Sequence, residues 1–138
     1  MKVQFIATGT GPDQYHFAGE TINGFDLSPL EFGGQFLGND GSKAAGIRAA
    51  YRDADGELHV TLKQPVVASQ LPGKKAHWRG TGIEIDPEDY DPSVCYVTPT
   101  GVAHLTEGVD YVLAWSVDVA GQKGWTVRAA QTQGGGTQ

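Results

Sequence analysis

The chain has one cysteine, Cys95, so it can form no disulfide within itself. It has no long apolar run; none approaches the ~20 residues a membrane helix needs. The opening MKVQFIATGTG carries one lysine and an apolar run too short for a secretion signal, so folding in a cytoplasm is expected. Basic residues are few. Ten stand against 16 acidic ones, for a net charge of −6, and they form no stripe that could neutralise phosphates. A nucleic-acid partner is therefore not expected. No stretch keeps a helical period over 10–15 residues, which argues against βαβ units.

Motifs with a chemical mechanism are missing too. Neither Gly9-Thr10-Gly11 nor Gly33-Gly34 continues into a P-loop or a dinucleotide fingerprint. There is no G-x-S-x-G elbow. His16, His59, His77 and His104 are widely spaced and sit in no zinc-ligand pattern. Surface or rim positions explain them, with His59 on the polar face of a strand. Cys95 lies in Ser-Val-Cys-Tyr-Val, within an expected strand, and reads as a buried structural thiol. No cofactor and no metal is expected.

What the chain does have is glycine, 20 residues of 138, spread between short apolar runs. That distribution calls for many tight turns. The strongest local pattern is residues 46–63, GIRAAYRDADGELHVTLK. Ile47, Ala49 and Tyr51 alternate with polar or small neighbours, as do Leu58, Val60 and Leu62. Asp53-Ala54-Asp55-Gly56 between them has turn chemistry, so the segment predicts a β-hairpin. A four-residue turn would pair Tyr51 with Leu58, Ala49 with Val60 and Ile47 with Leu62. It sets Arg52 opposite Glu57, whereas a two-residue Asp55-Gly56 turn sets Arg48 opposite Lys63. Cross-strand charge therefore favours the longer turn.

The rest of the chain is consistent with this class. Residues 1–8 predict an opening strand with Val3 and Phe5 on one face. Residues 15–17 and 20–25 predict short strands broken at Gly19 and Gly24. Ser28-Pro29-Leu30-Glu31 has a helix-start signature but meets Gly33-Gly34 at once, so one turn is the most it can form. Residues 35–43 predict a loop, and residues 65–68 can extend the hairpin's second strand. Residues 70–75 predict a loop and 77–79 a short strand. Asp86-Pro87 starts a second one-turn helix, and residues 92–98 predict a strand. A second hairpin spans 111–119 and 125–129, with loop AGQKG and Val119 opposite Trp125. Tyr111, Leu113, Trp115, Val117 and Val119 share its apolar face with Trp125, Val127 and Ala129, so both tryptophans are expected in the core. The expected fold is all-β: a small antiparallel β-sandwich or partly open barrel, with one-turn helices in loops. Residues 1–130 form one domain and 131–138 a flexible polar tail.

Two clusters invite a functional reading. Glu84, Asp86, Glu88, Asp89 and Asp91 could ligate calcium, but their spacing fits no EF-hand and a solvated acidic loop explains them better. The Asp53, Asp55 and Glu57 group is accounted for by the turn. Trp78, between His77 and Arg79 beside a glycine-rich loop, is the candidate exposed anchor of a protein interface.

Residues 46–65, GIRAAYRDADGELHVTLKQP, followed by His77-Trp78 and then EIDPEDYDP at 84–92, resemble small proteins encoded among the tail genes of phages and prophages. The preceding Phe25-Asp26-Leu27-Ser28 and the opening strand are similar in character. The resemblance covers about half the chain and rests on pattern and order. It implies a non-enzymatic virion protein, a structural connector or adaptor near tail fibres or baseplate, whose partners are other tail proteins in a multi-copy assembly. It implies localisation in the virion tail, after assembly in the host cytoplasm. Two other classes compete. A carbohydrate- or receptor-binding β module requires an exposed aromatic, Trp78 first. A small hydrolase requires two facing carboxylates in a cleft.

Overall fold

Alternation at the start of the chain does produce a strand. In the computed structural model, which describes residues 1–71, 78–80, 83–100, 102, 104–118 and 120–130, β1 (Lys2–Thr8) buries Val3 and Phe5. A three-strand meander follows, β2 (Phe17–Ala18), β3 (Thr21–Ile22) and β4 (Phe25–Asp26). Its turns fall at Gly19 and at Asn23-Gly24, close to the expected breaks. At 28–31 there is only a turn, in which Asp26 accepts hydrogen bonds from the backbone N–H and hydroxyl of Ser28.

Residues 35–43 are more ordered than expected. They hold β5 (Gln35–Phe36) and the start of a five-residue helix, α1 (Asp40–Ala44). The helix is capped reciprocally: the Ser42 N–H donates to the Asn39 side chain, and the Asn39 N–H donates to the Ser42 hydroxyl.

The first hairpin forms as β6 (Ile47–Arg52) and β7 (Leu58–Pro65), but in a different register from the expected one. Ile47 does face Leu62, and then a bulge intervenes, so that Ala50 faces Val60, Tyr51 faces His59 and Arg52 faces Leu58. One extra residue reverses the faces downstream of it. Ile47, Ala50 and Arg52 point inward, while Tyr51 is half exposed. The connection is five residues long, because the Asp53 carboxylate accepts from the N–H groups of both Asp55 and Glu57 at 2.9 Å. Glu57 is thereby outside the ladder, and Arg52 pairs elsewhere.

β7 lies between β6 and β1 in a four-stranded sheet of order β1-β7-β6-β5. The β1–β7 ladder is parallel, running from Lys2 opposite His59 to Thr8 opposite Pro65. Such a pair needs a long crossover, which the meander, α1 and β6 supply. The remaining ladders are antiparallel: β5–β6, β6–β7, the meander, β8 (Trp78–Gly80) with β9 (Val97–Pro99), and β10 (Tyr111–Val117) with β11 (Lys123–Ala129). A single 3-10 turn at Pro87–Asp89 fulfils the Asp86-Pro87 expectation. The strand expected at 92–98 is confined to Val97–Pro99. The fold is all-β, with short helices in loops, and among the described residues no sheet closes into a barrel.

One face of the main sheet is covered by the meander and by residues 85–97. Val3, Phe5, Ile47, Leu58, Val60 and Leu62 pack there against Tyr15, Ile22, Leu27 and Val97. Burying a side chain of that size is worth roughly 1.5–3 kcal/mol. A second, smaller cluster of Val102, Tyr111 and Val127 lies under β10–β11. The two hairpins therefore have separate apolar centres rather than one shared interior. Residues 65–70 run alongside the second hairpin and join it to the first, with the Val67 N–H donating to the Trp125 carbonyl and the Gln70 N–H to that of Val127. Val66 bridges to Trp125, and Gly124 lies so near the backbone of Pro65 and Val66 that a Cβ there would come within 2.8 Å of it.

Candidate functional site

The second hairpin keeps its expected faces but is joined two residues earlier. Trp115 pairs with Trp125 and Val117 with Lys123, so residues 118–122 form the loop and Val119 lies outside the described residues. The shift has a local cause: the Asp118 carboxylate accepts from the N–H groups of Ala120 and Gln122 at 2.9 Å and closes the loop early.

The expectation of two core tryptophans holds for one. Trp125, on the strand that lies beside Pro65 and Val66, is 8% exposed, whereas Trp115 is 36% exposed and Val117 56% exposed. β10 is the outer strand of the hairpin; its Trp115 face is covered at Tyr111 and Leu113 and opens to solvent at Trp115 and Val117. The two rings meet edge to face, with centroids 6.0 Å apart. With Asp13, Gln14, Pro92 and Ser93 they line a shallow, mainly apolar recess of about 350 Å³. β10 reads YVLAWSV, seven residues without charge, proline or glycine. Natural edge strands are usually blunted by such residues.

Of the three interface residues expected from sequence, only the Trp78 side chain is described. His77 and the Arg79 side chain lie outside the described residues. Trp78 is half-buried and packs against both hydrophobic clusters, so it joins them rather than standing free as an anchor. Its indole Nε1 is buried and finds no acceptor among the described residues.

A wider groove, of about 750 Å³, runs between the meander and residues 86–92. Tyr15, Phe17 and Tyr90 line it, together with Gln14, His16, Asp86 and Glu88. Phe17 lies edge-on to Tyr90, and Tyr90 continues into a buried aromatic stack in which Phe5 lies 5.8 Å from Tyr90 and 4.8 Å from Tyr96. The Tyr15 hydroxyl is turned inward, donating to the carbonyls of Gly46 and Lys63, and burial raises its pKa. It ties the segment before the meander to the start of the first hairpin. Gly46 adopts φ +87°, and a Cβ there would strike Tyr15 and Pro12.

Two polar groups were not foreseen as sites. Arg52 is buried and forks onto the Glu20 carboxylate at 2.8 and 2.9 Å. It also donates to the carbonyls of Leu30, Gly56 and Leu27. The hydrogen bonds from Arg52 lower the Glu20 pKa. His59 lies between two carboxylates: Nε2 is 2.9 Å from Asp53 and Nδ1 is 2.6 Å from Glu84. Its ring stacks on Tyr51 with centroids 4.6 Å apart. Hydrogen bonds to Asp53 first and Glu84 second raise the His59 pKa, against a smaller opposing effect of burial. Part of the signal was visible, since Tyr51 and His59 flank a turn rich in carboxylates. The Glu84 partner, 25 residues on, was not.

The acidic segment is mostly occupied with internal bonds. Glu84 holds His59, Asp86 pairs with Lys2, and Asp91 accepts from Ser93. Among the described residues no three His, Cys, Asp or Glu side chains converge to hold a metal ion. Burial pushes the Cys95 thiol up to about 11, far from the range of a reactive thiolate. Comparison with protein families, curated proteins and solved structures finds no match to this chain.

Proposed function

We propose that the chain is a non-enzymatic structural protein of a phage or prophage tail, a connector or adaptor near tail fibres or baseplate. The observation that carries the proposal is β10, an uncharged seven-residue outer strand that presents Trp115 and Val117 to solvent. An edge of that kind can accept a strand from a neighbour, with the Trp115–Trp125 recess taking one of the neighbour's side chains. The resemblance of residues 46–65 and 84–92 to tail-gene products supplies the setting. The partners are then other tail proteins, and the protein resides in the virion after assembly in the host cytoplasm. The test substitutes Val117→Lys and measures incorporation into tail particles by sedimentation. About a tenfold loss of incorporation with an unchanged melting temperature is expected, since edge lysines block strand addition. Full incorporation of the variant would remove β10 from the account.

The aromatic groove favours a second reading, a carbohydrate- or receptor-binding β module. Phe17 and Tyr90 offer ring faces, and Asp86, Glu88 and Gln14 offer hydrogen-bonding groups beside them. That reading requires glycan binding that disappears in Tyr90→Ala and survives in Val117→Lys.

A further inference from the structure

His59 lies at a junction of three parts of the chain. It sits on β7, its carboxylate partners come from the hairpin turn (Asp53) and from residues 83–86 (Glu84), and Lys2 of β1 stands opposite it in the ladder. We infer that His59 is a proton-dependent latch that ties the acidic segment 83–91 to the first hairpin. The argument is one of donors and acceptors. Both ring nitrogens are within hydrogen-bond distance of a carboxylate oxygen. A carboxylate only accepts, and a neutral imidazole has one N–H. The arrangement therefore requires the imidazolium. When the proton leaves, one nitrogen's lone pair faces a carboxylate oxygen, and that contact turns repulsive.

Glu84 is the partner that lets go. Asp53 is held by two backbone N–H donors of its own turn, from Asp55 and Glu57. The other charged and titratable groups around the ring are accounted for. Tyr51 stacks on it. Glu57 is engaged by the α-amino group of Met1 at 2.7 Å, and Lys2 is drawn to Asp86 at 2.5 Å. Beside Glu84, the segment is fastened to β1 by the reciprocal backbone bonds of Val3 and Ile85, at 2.9 and 2.8 Å. Immediately beyond, Asp86, Pro87, Glu88 and Tyr90 form one wall of the aromatic groove. Deprotonation of His59 thus loosens the wall of the largest open groove among those described, whichever ligand or partner the protein takes.

The test is site-resolved NMR on the intact protein. His59 resonances, assigned by their loss in His59→Gln, are expected to titrate above the ordinary value of 6.5, and Glu84→Gln is expected to bring the midpoint down. Hydrogen-exchange protection of the Val3 and Ile85 amides, corrected for intrinsic rates, should fall as pH rises through that midpoint. The fall should reach about tenfold for each unit by which the His59 midpoint exceeds its midpoint in Glu84→Gln, since Asp53 stays on the ring when the segment opens. His59→Gln should show no such step. A His59 midpoint at or below 6.5, or an equal step in protection in His59→Gln, overturns the latch.

Discussion

Arg52 shows how one side chain can organise a neighbourhood. Its planar fork holds Glu20 bidentately while its remaining donors reach the carbonyls of Leu27, Leu30 and Gly56. A lysine has neither the fork nor the five fixed donors. By differential scanning calorimetry, Arg52→Lys is therefore expected to lower the melting temperature by several degrees, while Arg48→Lys, at an exposed site on the same strand, changes it by about a degree or less. Gly46 makes a sharper case. Its positive φ and its contact with Tyr15 and Pro12 leave no room for a methyl group. Gly46→Ala should release the Tyr15 hydroxyl, seen as a tyrosine that titrates more nearly as it does in water. These residues were hard to foresee. Arg52 looked like a polar-face residue because the bulge after Ile47 leaves no mark in an alternating string, and its partner lies 32 residues away. His59 was placed on the polar side, where it does lie, but its role depends on Glu84, which the chain brings in from a separate segment.

At the scale of elements, the local patterns were informative where the local signal is strong. The opening strand, the hairpin position, the meander's glycine turns and the Asp86-Pro87 turn follow from alternation and turn chemistry. Register did not follow, because in both hairpins an aspartate capping its own turn, Asp53 or Asp118, moves the closure point. The helix Asp40–Ala44 was missed because its signal is a single Asn39–Ser42 capping box interrupted by glycine. The two strands of the second hairpin differ in what they bury, and this gives a paired expectation. Trp125→Ala should cost about 3–5 kcal/mol, as large core truncations do. Trp115→Ala should cost less, about 1–3 kcal/mol, from its edge-to-face contact and the area it still buries. Chemical denaturation of the two variants checks the contrast, and equal losses would mean that Trp115 is as much core as its partner. Gly124→Val should separate the second hairpin from Pro65 and Val66 and lower the denaturation midpoint without altering the first cluster's aromatic stack.

For the whole molecule, charge and pH tie the parts together. Bonds to Arg52, His59 and the Met1 α-amino group lower the pKa of Glu20, Asp53 and Glu57 respectively. Their contribution is complete above the ordinary carboxylate values, 3.8 for aspartate and 4.5 for glutamate, and is lost as pH falls through the lowered values. His59 has the opposite sign. Its raised pKa adds stability that is complete below 6.5 and lost as pH rises through the folded-state value. Melting temperature should therefore peak between 4.5 and 6.5, and the alkaline fall should be smaller in His59→Gln. A peak at neutral or higher pH would contradict that balance. The two hairpins keep separate apolar centres, joined through Trp78 and the approach of Gly124 to β7. The separation leaves β10 on the outside, and the proposed tail role depends on that placement. The most direct test is quantitative mass spectrometry of tail particles purified from the cell that encodes the chain. The account expects the protein in a fixed multi-copy ratio to the other tail proteins, with Trp115 shielded from solvent in the particle. A strictly monomeric protein that is missing from every particle would contradict it.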